Sequence, residues 1–388
     1  MRNYPCIYTF QTISNMEKED RIVMTLDAGG TNLVFSALQN GREIVEPIRF
    51  PSVTDDLEAC LATLRRGFEA VKQQVGNPVA ISFAFPGPAD YRAGIIGDLP
   101  NFPAFRGGVA LGPFLEEAFG IPVFINNDGN LFAYGEAVAG ILPEINQKLE
   151  QMGNPRRYRN LLGVTLGTGF GGGMVANGEL VLGDNQMAGY LWCQQNKLRQ
   201  GTIAEESVGA RAVKRVYAEL TNDDSRSPKD IFDIAEGSLA GNQEAARRAF
   251  EDLGTVAGHV VAGCITLLDG LVVIGGGLSG AAKYILPSFM RELRTKLTFY
   301  GSPVSRLQMT PYCLENADEM QAFLGHRPHS VRVPGTDRMV EYTTDCCMGV
   351  ALSHLGASRA INLGAYYFAL QNLDRKKEIG TPELYLKK

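Results

Sequence analysis

Five residues, Asn126-Asn127-Asp128-Gly129-Asn130, place a carboxylate between the apolar run Ile121–Ile125 and a helix-like stretch from Leu131 to Ala139. A carboxylate where a buried strand gives way to a helix is held by rigid elements while its tip stays open, which suits a general base. Asn and Asp in front of a helix are also good caps, so the pentapeptide alone leaves both roles open.

Two glycine-rich turns add a second kind of chemistry. Asp27-Ala28-Gly29-Gly30-Thr31-Asn32 separates two apolar runs, and Gly167-Thr168-Gly169-Phe170-Gly171-Gly172-Gly173 does the same further along. Glycine lets backbone N–H groups approach an anion without Cβ interference, as a polyphosphate requires. Thr31 and Thr168 offer hydroxyls to phosphate oxygens. Asp27, beside the first turn, could hold Mg²⁺ through water, because that ion keeps several waters and takes one or two carboxylates. Either turn alone could be an ordinary tight hairpin.

A third glycine run, Gly275-Gly276-Gly277, follows the apolar segment Leu271–Ile274. Gly167-x-Gly169-x-x-Gly172 and Gly275-x-Gly277-x-x-Gly280 both match a dinucleotide fingerprint as strings. The first runs into a strand and hairpin, and the second lacks an opening βαβ unit. The Gly275 turn fits better as a place where a ligand packs against backbone at a helix N-terminus. The four histidines show no metal-ligand spacing. No Gly-x-Ser-x-Gly nucleophile elbow and no Walker lysine is present, so phosphoryl transfer here would rest on backbone donors, Mg²⁺ and positioning.

The elements that must position these residues form a repeated pattern. Ile22–Leu26, Leu33–Leu38 and a segment through Ile44 and Val45 read as strands, with Asn40-Gly41 as a type I′ hairpin signal. Leu57, Leu61, Leu64, Phe68 and Val71 recur at helical spacing, and Val79–Phe85 is a further strand. A helix over Leu111–Phe119 and the strand before Asp128 complete a β-β-β-α-β-α-β-α order. The pattern restarts with strands at Leu161–Leu166 and Met174–Ala176, the hairpin signal Asn177-Gly178, and Glu179–Leu182. Two such units imply a duplicated α/β architecture with a cleft between two domains. Ile141–Asn160 reads as a peripheral helix and loop. Helices are expected over about 205–220, 231–239, 243–268 and 281–296, strand and loop over 302–334, and helices over 349–355 and 360–373. The expected division is a lead-in (1–20), an N-terminal domain (21–140 with 358–388) and a C-terminal domain (141–357).

The chain has 388 residues, enough for two cores, and a net charge of -5 without long like-charge runs. Nothing in it points to a nucleic-acid groove or a membrane surface, and the expected ligand is small. Seven scattered cysteines, with Cys346 and Cys347 adjacent, suit a reducing compartment, and we read the protein as cytoplasmic. No apolar run approaches the ~20 residues a membrane span needs, and the first twenty residues lack a signal peptide's pattern. Met16, just before the first strong strand, is a possible working start.

Taken in order from about Arg21 to Leu373, the motifs resemble the ROK group of bacterial sugar kinases and repressors, within the actin, hexokinase and Hsp70 ATPase superfamily. The resemblance implies a two-domain actin-like ATPase (ribonuclease H-like) fold and an ATP-dependent kinase for a hexose or N-acetylhexosamine. Asp27 to Asn32 is similar to the first phosphate motif. Pro86-Gly87-Pro88-Ala89-Asp90 and Pro100-Asn101-Phe102-Pro103 resemble the sugar-side segments, with Asn101 placed as a sugar-hydroxyl ligand. Asn127-Asp128-Gly129-Asn130 resembles the catalytic motif, which makes Asp128 the base. Gly167–Gly189 is similar to the second phosphate motif, bringing in Thr168, Gly169 and Gly171, and Val273–Gly277 to the adenosine-side turn.

The departures lie on the sugar side. The family continues to Ala-Gly-Glu-x-Gly-His, whereas this chain reads Ala188-Gly189-Tyr190-Leu191-Trp192-Cys193. Tyr190 therefore stands in place of a sugar-contacting Glu, and Cys193 in place of a His that contacts sugar and zinc. The cysteine-rich zinc loop is missing, Gln194–Ile203 is too short to contain it, and no structural zinc is expected. Glu205 aligns with the next sugar-binding Glu, while Thr202-Ile203-Ala204-Glu205 also reads as a capping box. The resemblance further implies a homodimer. Three functional readings follow: a sugar kinase; a weak or inactive sugar-binding regulator, without direct DNA binding because the twenty residues before Arg21 are too few to fold into a DNA-binding domain; and a chaperone-like or polymerising ATPase, for which the sugar-side asparagines would be superfluous.

Overall fold

The computed structural model describes residues 19–29, 32–98, 103–342 and 346–378. It divides into two compact units, residues 1–138 with 358–388 and residues 139–357. The chain therefore leaves the first unit after Val138 and returns to it at Ser358.

In the first unit β1 (Val23–Ala28), β2 (Asn32–Gln39), β3 (Arg42–Glu43), β4 (Ile48–Pro51), β5 (Ala80–Ala84) and β8 (Val123–Asn126) form a sheet of order β3-β2-β1-β5-β8, with β4 also paired to β2. β1 runs antiparallel to β2 and parallel to β5, which is parallel to β8. The first hairpin turns through Asn40 and Gly41 at φ 53° and 66°, the doubly positive pair of a type I′ turn. The expected strand through Ile44 and Val45 is a correction. Pairing to β2 stops after Arg42–Glu43 and resumes at Ile48–Pro51, with Pro47, which cannot donate to a ladder, in the interruption.

One face of this sheet is covered by α1 (Leu57–Val75) and α2 (Leu111–Phe119). The helical stripe of α1 buries Cys60, Leu64, Phe68 and Val71, and Phe68 meets the ring of Phe35 edge-on at 5.1 Å. Burying such side chains contributes roughly 1.5–3 kcal/mol each. Strand alternation sends Phe124 to the opposite face, where its ring lies 6.4 Å from Phe368 of α10 (Ala357–Glu378). Tyr134 of α3 (Asp128–Ala139) meets the same ring at 6.4 Å. A small ribbon, β6 (Ala89–Asp90) with β7 (Ile95–Ile96), follows β5.

α3 and α10 cross at two glycines. A Cβ on Gly135 would lie 1.9 Å from the Ala360 carbonyl oxygen, and one on Gly364 1.9 Å from that of Leu131. Only glycine permits this approach at either position. The helix expected from Leu131 begins three residues earlier, at Asp128 itself.

The second unit opens with α4 (Ile141–Gln151), the expected peripheral helix, which buries Ile141, Leu142, Ile145 and Leu149. Its sheet has the order β11-β10-β9-β12-β18-β15, from β9 (Leu161–Leu166), β10 (Phe170–Ala176), β11 (Glu179–Val181), β12 (Leu271–Gly275), β15 (Thr310–Cys313) and β18 (Cys347–Leu352). The first five positions repeat the first unit: two antiparallel pairings, then parallel ones. Asn177 and Gly178, at φ 52° and 79°, repeat the I′ turn. α5 (Ala210–Thr221), α6 (Pro228–Glu236), α7 (Gln243–Leu268) and α8 (Ala282–Leu293) build the core around this sheet. α7 is long and apolar enough to cross a bilayer by length and composition. Its apolar stripe is taken up by this core, and its Gly254 and Gly258 lie against the backbone of α8.

Several expectations are corrected here. Gly171, Gly172 and Gly173 belong to β10, paired with Thr165, Val164 and Gly163, so the turn is only Gly167-Thr168-Gly169. These strand glycines let another segment cross closely: a Cβ on Gly172 would lie 2.5 Å from Leu191 Cδ1, and one on Gly189 3.0 Å from Gly173 Cα. The helix expected over 205–220 is a 3₁₀ turn, Ala204–Glu206, followed by α5. α6 starts at Pro228 instead of Ile231, because Ser227 and Asp230 form a capping box with proline at the first position. The helix expected over 281–296 is preceded by a 3₁₀ turn at Gly277–Ala281 and ends at Leu293; Lys296 starts β13 (Lys296–Phe299), which pairs with β14 (Ser302–Ser305). The 302–334 region holds β15 and a helix, α9 (Ala317–Gly325), started by Asn316 as its cap, besides β16 (His329–Arg332), which pairs with β17 (Met339–Tyr342). The helix expected over 349–355 is a strand, β18, lying between β12 and β15. A parallel strand buried on both faces carries no alternation, so its small apolar run resembles a buried helix.

Candidate active site

In the first unit, β1, β5 and β8 are parallel neighbours whose C-terminal ends share one sheet edge, the usual binding edge of an open α/β sheet. Ala84 pairs with Asn126 across β5 and β8. Counting on from Met24↔Ile81 puts Asp27 in the same row. Asp27, the Pro86-Gly87-Pro88 loop and Asn127-Asp128 thus leave the sheet at one edge. Tyr91 fixes that loop by donating its hydroxyl to Phe85 O at 2.9 Å.

The corner that presents Asp128 is held by amide side chains. Asn126 Oδ1 accepts from Asn127 N at 2.8 Å and from Asn130 Nδ2 at 3.0 Å. Asn127 Oδ1 accepts from Gly129 N at 2.8 Å. Asn126 and Asn130 are 1% exposed, which leaves the neighbouring Asp128 as the residue open to water. Gly129 N donates to Asp128 Oδ1 at 2.9 Å. The protein mass around Asp128 raises its carboxyl above the usual carboxylate value, while the N–H groups of Gly129 and of Asp128 itself pull it back. Surface exposure and this burial effect point in different directions. Water screens a group it can reach, so the shift bears on proton chemistry and carries no stability figure.

Neither Asp27 nor Asp128 has an ion-pair partner among the described residues. Asp27 is half-buried at the end of β1. Gly29 closes the turn through its N–H to Asn32 O at 3.0 Å, and Asn32 begins β2 with its side chain exposed. Gly30, Thr31 and Asn101 lie outside the described residues.

In the second unit, the turn Gly167-Thr168-Gly169 leaves Thr168 exposed. It is braced by the segment 204–210: Ala210 N donates to Gly167 O at 2.9 Å, and Phe170 N to Glu205 Oε2 at 3.0 Å. Gly209, at φ 142°, has no room for a Cβ, which would lie 2.9 Å from Thr168 O. The capping-box reading of Thr202 and Glu205 is thereby corrected: the Thr202 hydroxyl donates to Arg199 O at 2.9 Å, and the Glu205 carboxylate faces the glycine turn. Gly171, inside β10, is not a turn residue.

The third glycine run lies beside this turn. Gly275 pairs with Thr165, and Gly276, at φ 94°, would bring a Cβ within 2.3 Å of Leu166 O. Gly277, exposed, starts the 3₁₀ turn that leads into α8. The ends of β9 and β12 are thus packed backbone against backbone at Gly209 and Gly276, while Gly167 and Gly277 beside them face open space, where a ligand could approach the main chain without a Cβ in the way.

Tyr190 is half-buried, its ring 6.1 Å from that of Trp192. Cys193 is exposed and donates its thiol to Tyr190 O at 3.3 Å. Beyond it, the loop 194–203 closes on Asn196, which is 2% exposed. Asn196 Oδ1 accepts from Leu198 N and Arg199 N, and Nδ2 donates to Ile203 O and Ser207 Oγ, at 2.9–3.1 Å. Lys197 holds the same loop to Glu292 on α8, at 2.5 and 2.6 Å. Among the described residues no three His, Cys, Asp or Glu side chains are grouped to hold a metal ion. The role of Asn196 was not anticipated; a lone asparagine in a polar loop carries no periodic signal.

A family model, the ROK family, matches residues 23–318. The chain belongs to the ROK family. It has the actin-like ATPase fold, with two units of repeated sheet order. A crystal structure of a glucokinase from Parabacteroides distasonis ATCC 8503 is 56% identical, covering 92% of this chain and 99% of that one, with a TM-score of 0.83. An N-acetylgalactosamine kinase of Shewanella sp. strain ANA-3 is 26% identical over 318 residues, 78% of this chain and 96% of its own length. A ROK family glucokinase from Streptomyces griseus, solved in complex with glucose and AMPPNP, is 19% identical, covers 89% of this chain and 98% of its own, and has a TM-score of 0.57, a likeness of fold.

Proposed function

We propose that this ROK protein is a sugar kinase that transfers the γ-phosphoryl group of ATP to a hydroxyl of a hexose or N-acetylhexosamine, with Asp128 as general base. The observation that carries the reading is the placement of Asp128: at the strand-to-helix corner of β8, in a row with Asp27, without a cationic partner among the described residues and with its carboxyl raised. A carboxylate so placed is free to accept a proton from a substrate hydroxyl. Glucose is the first acceptor to test, given the 56% identical glucokinase.

The residues divide the work. Asp128 orients the attacking hydroxyl and takes its proton as the new P–O bond forms; the bond from γ-phosphorus to the β–γ bridging oxygen breaks, and ADP departs with that oxygen. The N–H groups of the turns at Gly29–Asn32 and Gly167–Gly169, with the Thr31 and Thr168 hydroxyls, hold the phosphates. Gly275, Gly276 and Gly277 let the adenosine lie against backbone. Asn101, Asn127, Gly87, Glu205 and Tyr190 read the sugar. Asp27 would hold Mg²⁺ through water, and the ion, when bound, would supply charge neutralisation on the phosphates. The site's half-buried Asp27 without an ionic partner fits that role. Most of the acceleration comes from alignment and charge neutralisation, since a sugar alkoxide is costly at neutral pH.

Asp128→Asn tests the reading by turnover with ATP and glucose: phosphorylation should be lost with the fold intact, and near-wild-type turnover removes Asp128 from its role. A second reading, a sugar-binding regulator with little turnover, draws on Tyr190 and Cys193 standing where the family carries Glu and His. Incubation with ATP and a panel of hexoses and N-acetylhexosamines separates the two.

A further inference from the structure

Glu205 has two claims on one carboxylate. Its Oε2 accepts from Phe170 N at 3.0 Å, at the first residue after the Thr168-Gly169 turn. The carboxylate occupies the space that Gly169 leaves by lacking a side chain: a Cβ there would lie 2.6 Å from Oε2. The other oxygen, Oε1, has Arg211 Nη2 at 3.6 Å, a side chain 79% exposed and correspondingly screened. An anionic group therefore sits against a phosphate-binding turn and occupies one of its backbone donors. For an arriving phosphate this is the wrong sign of charge and a missing hydrogen bond.

The same residue is tied to the sugar wall. Glu205 N donates to Trp192 O at 3.2 Å, and Ala204 N to Gln194 O at 2.7 Å. The Asn196 hub fixes the intervening loop. The backbone of Glu205 is thus held while its carboxylate can turn between the Phe170 N–H and a ligand.

We propose that Glu205 makes nucleotide engagement conditional on the acceptor sugar: a sugar hydroxyl that donates to Oε2 draws the carboxylate off the turn and releases the Phe170 N–H to a phosphate oxygen. The proposal rests on reading Glu205 as a sugar ligand and the Thr168 turn as a phosphate site. Its consequence is a kinase that spares ATP until an acceptor is present. The coupling requires differential contact of one group in the two states, which the shared carboxylate supplies.

The test is calorimetric titration of Mg²⁺-AMPPNP into the full chain, with and without saturating glucose, or N-acetylglucosamine if that is the sugar the wild type phosphorylates. For wild type the sugar should tighten AMPPNP about tenfold, within the usual range of coupling. Glu205→Ala, and the isosteric Glu205→Gln should the first fold poorly, should bind AMPPNP alone about as tightly as wild type does with sugar, lose most of the coupling, and hydrolyse ATP faster without sugar. A purely structural brace predicts the reverse, weaker AMPPNP binding with coupling retained, and that result overturns the proposal. Unchanged sugar affinity in both variants removes Glu205 as a sugar ligand and overturns it as well. Absence of turnover by wild type across the sugar panel instead refutes the kinase reading itself.

Discussion

Gly135→Ala places a methyl group where the structure has none to spare. Its Cβ would stand 1.9 Å from Ala360 O, and the helices must part by about 1.5 Å to reach the 3.4 Å of ordinary contact. α3 moves as a rod, and Asp128 lies two turns up the same helix, roughly 10 Å along its axis. A displacement of about 1 Å at the base costs roughly 100-fold in rate by misalignment. Overpacking of this kind costs about 1–3 kcal/mol, a fall in Tm of several degrees. The assay is kcat and KM for sugar phosphorylation, measured well below the melting transition, beside a thermal melt. The expected result is a large loss in kcat with a smaller change in nucleotide KM, because the phosphate turns are not on α3. Gly263→Ala is the control: its Cβ meets open space on α7, and alanine there should stabilise by up to about 1 kcal/mol. Wild-type Tm and turnover in Gly135→Ala would refute the claim that the helix crossing positions Asp128.

Other outcomes follow from the same geometry. Because the surroundings raise the Asp128 carboxyl, the base becomes protonated at a higher pH than an ordinary carboxylate would. The log of kcat/KM should therefore fall with unit slope as pH drops through that raised value, and an acid limb no higher than that of a free aspartate contradicts this. Asn196→Ala removes four side-chain hydrogen bonds at a 2% exposed site and should cost about 2–4 kcal/mol in chemical denaturation. Asn196 and Lys197 brace the 194–203 loop through side-chain bonds, so EDTA should leave the wild-type Tm unchanged; a fall of several degrees would show a structural metal.

The sequence was most legible where local chemistry and pattern agreed. Asn40-Gly41 and Asn177-Gly178 each specify a turn that few other pairs allow, and both formed it. The stripe Leu64, Phe68, Val71 and the run Leu111–Phe119 place α1 and α2 within a few residues. Legibility failed where one signal serves two structures. Gly171–Gly173 read as a turn because glycine is common there, yet these residues are strand positions thinned for the passage of Gly189 and Leu191. Residues 349–355 read as helix because a doubly buried strand, here Cys347–Leu352, has no period-two signature. Glu205 in a Thr-x-x-Glu string matched a cap, and only tertiary contact shows its carboxylate at Phe170. The proposal of Asp128 as base rests on its place in an ordered set of motifs. The amide bracket of Asn126, Asn127 and Asn130 that presents it becomes evident only in three dimensions.

The most direct measurement is a paired one on Asp128→Asn: glucose affinity by calorimetry and phosphoryl transfer from ATP to glucose. The account predicts glucose binding within a few-fold of wild type, a Tm unchanged, and transfer reduced by at least about 100-fold. Transfer near the wild-type rate in a folded, glucose-binding variant would contradict it.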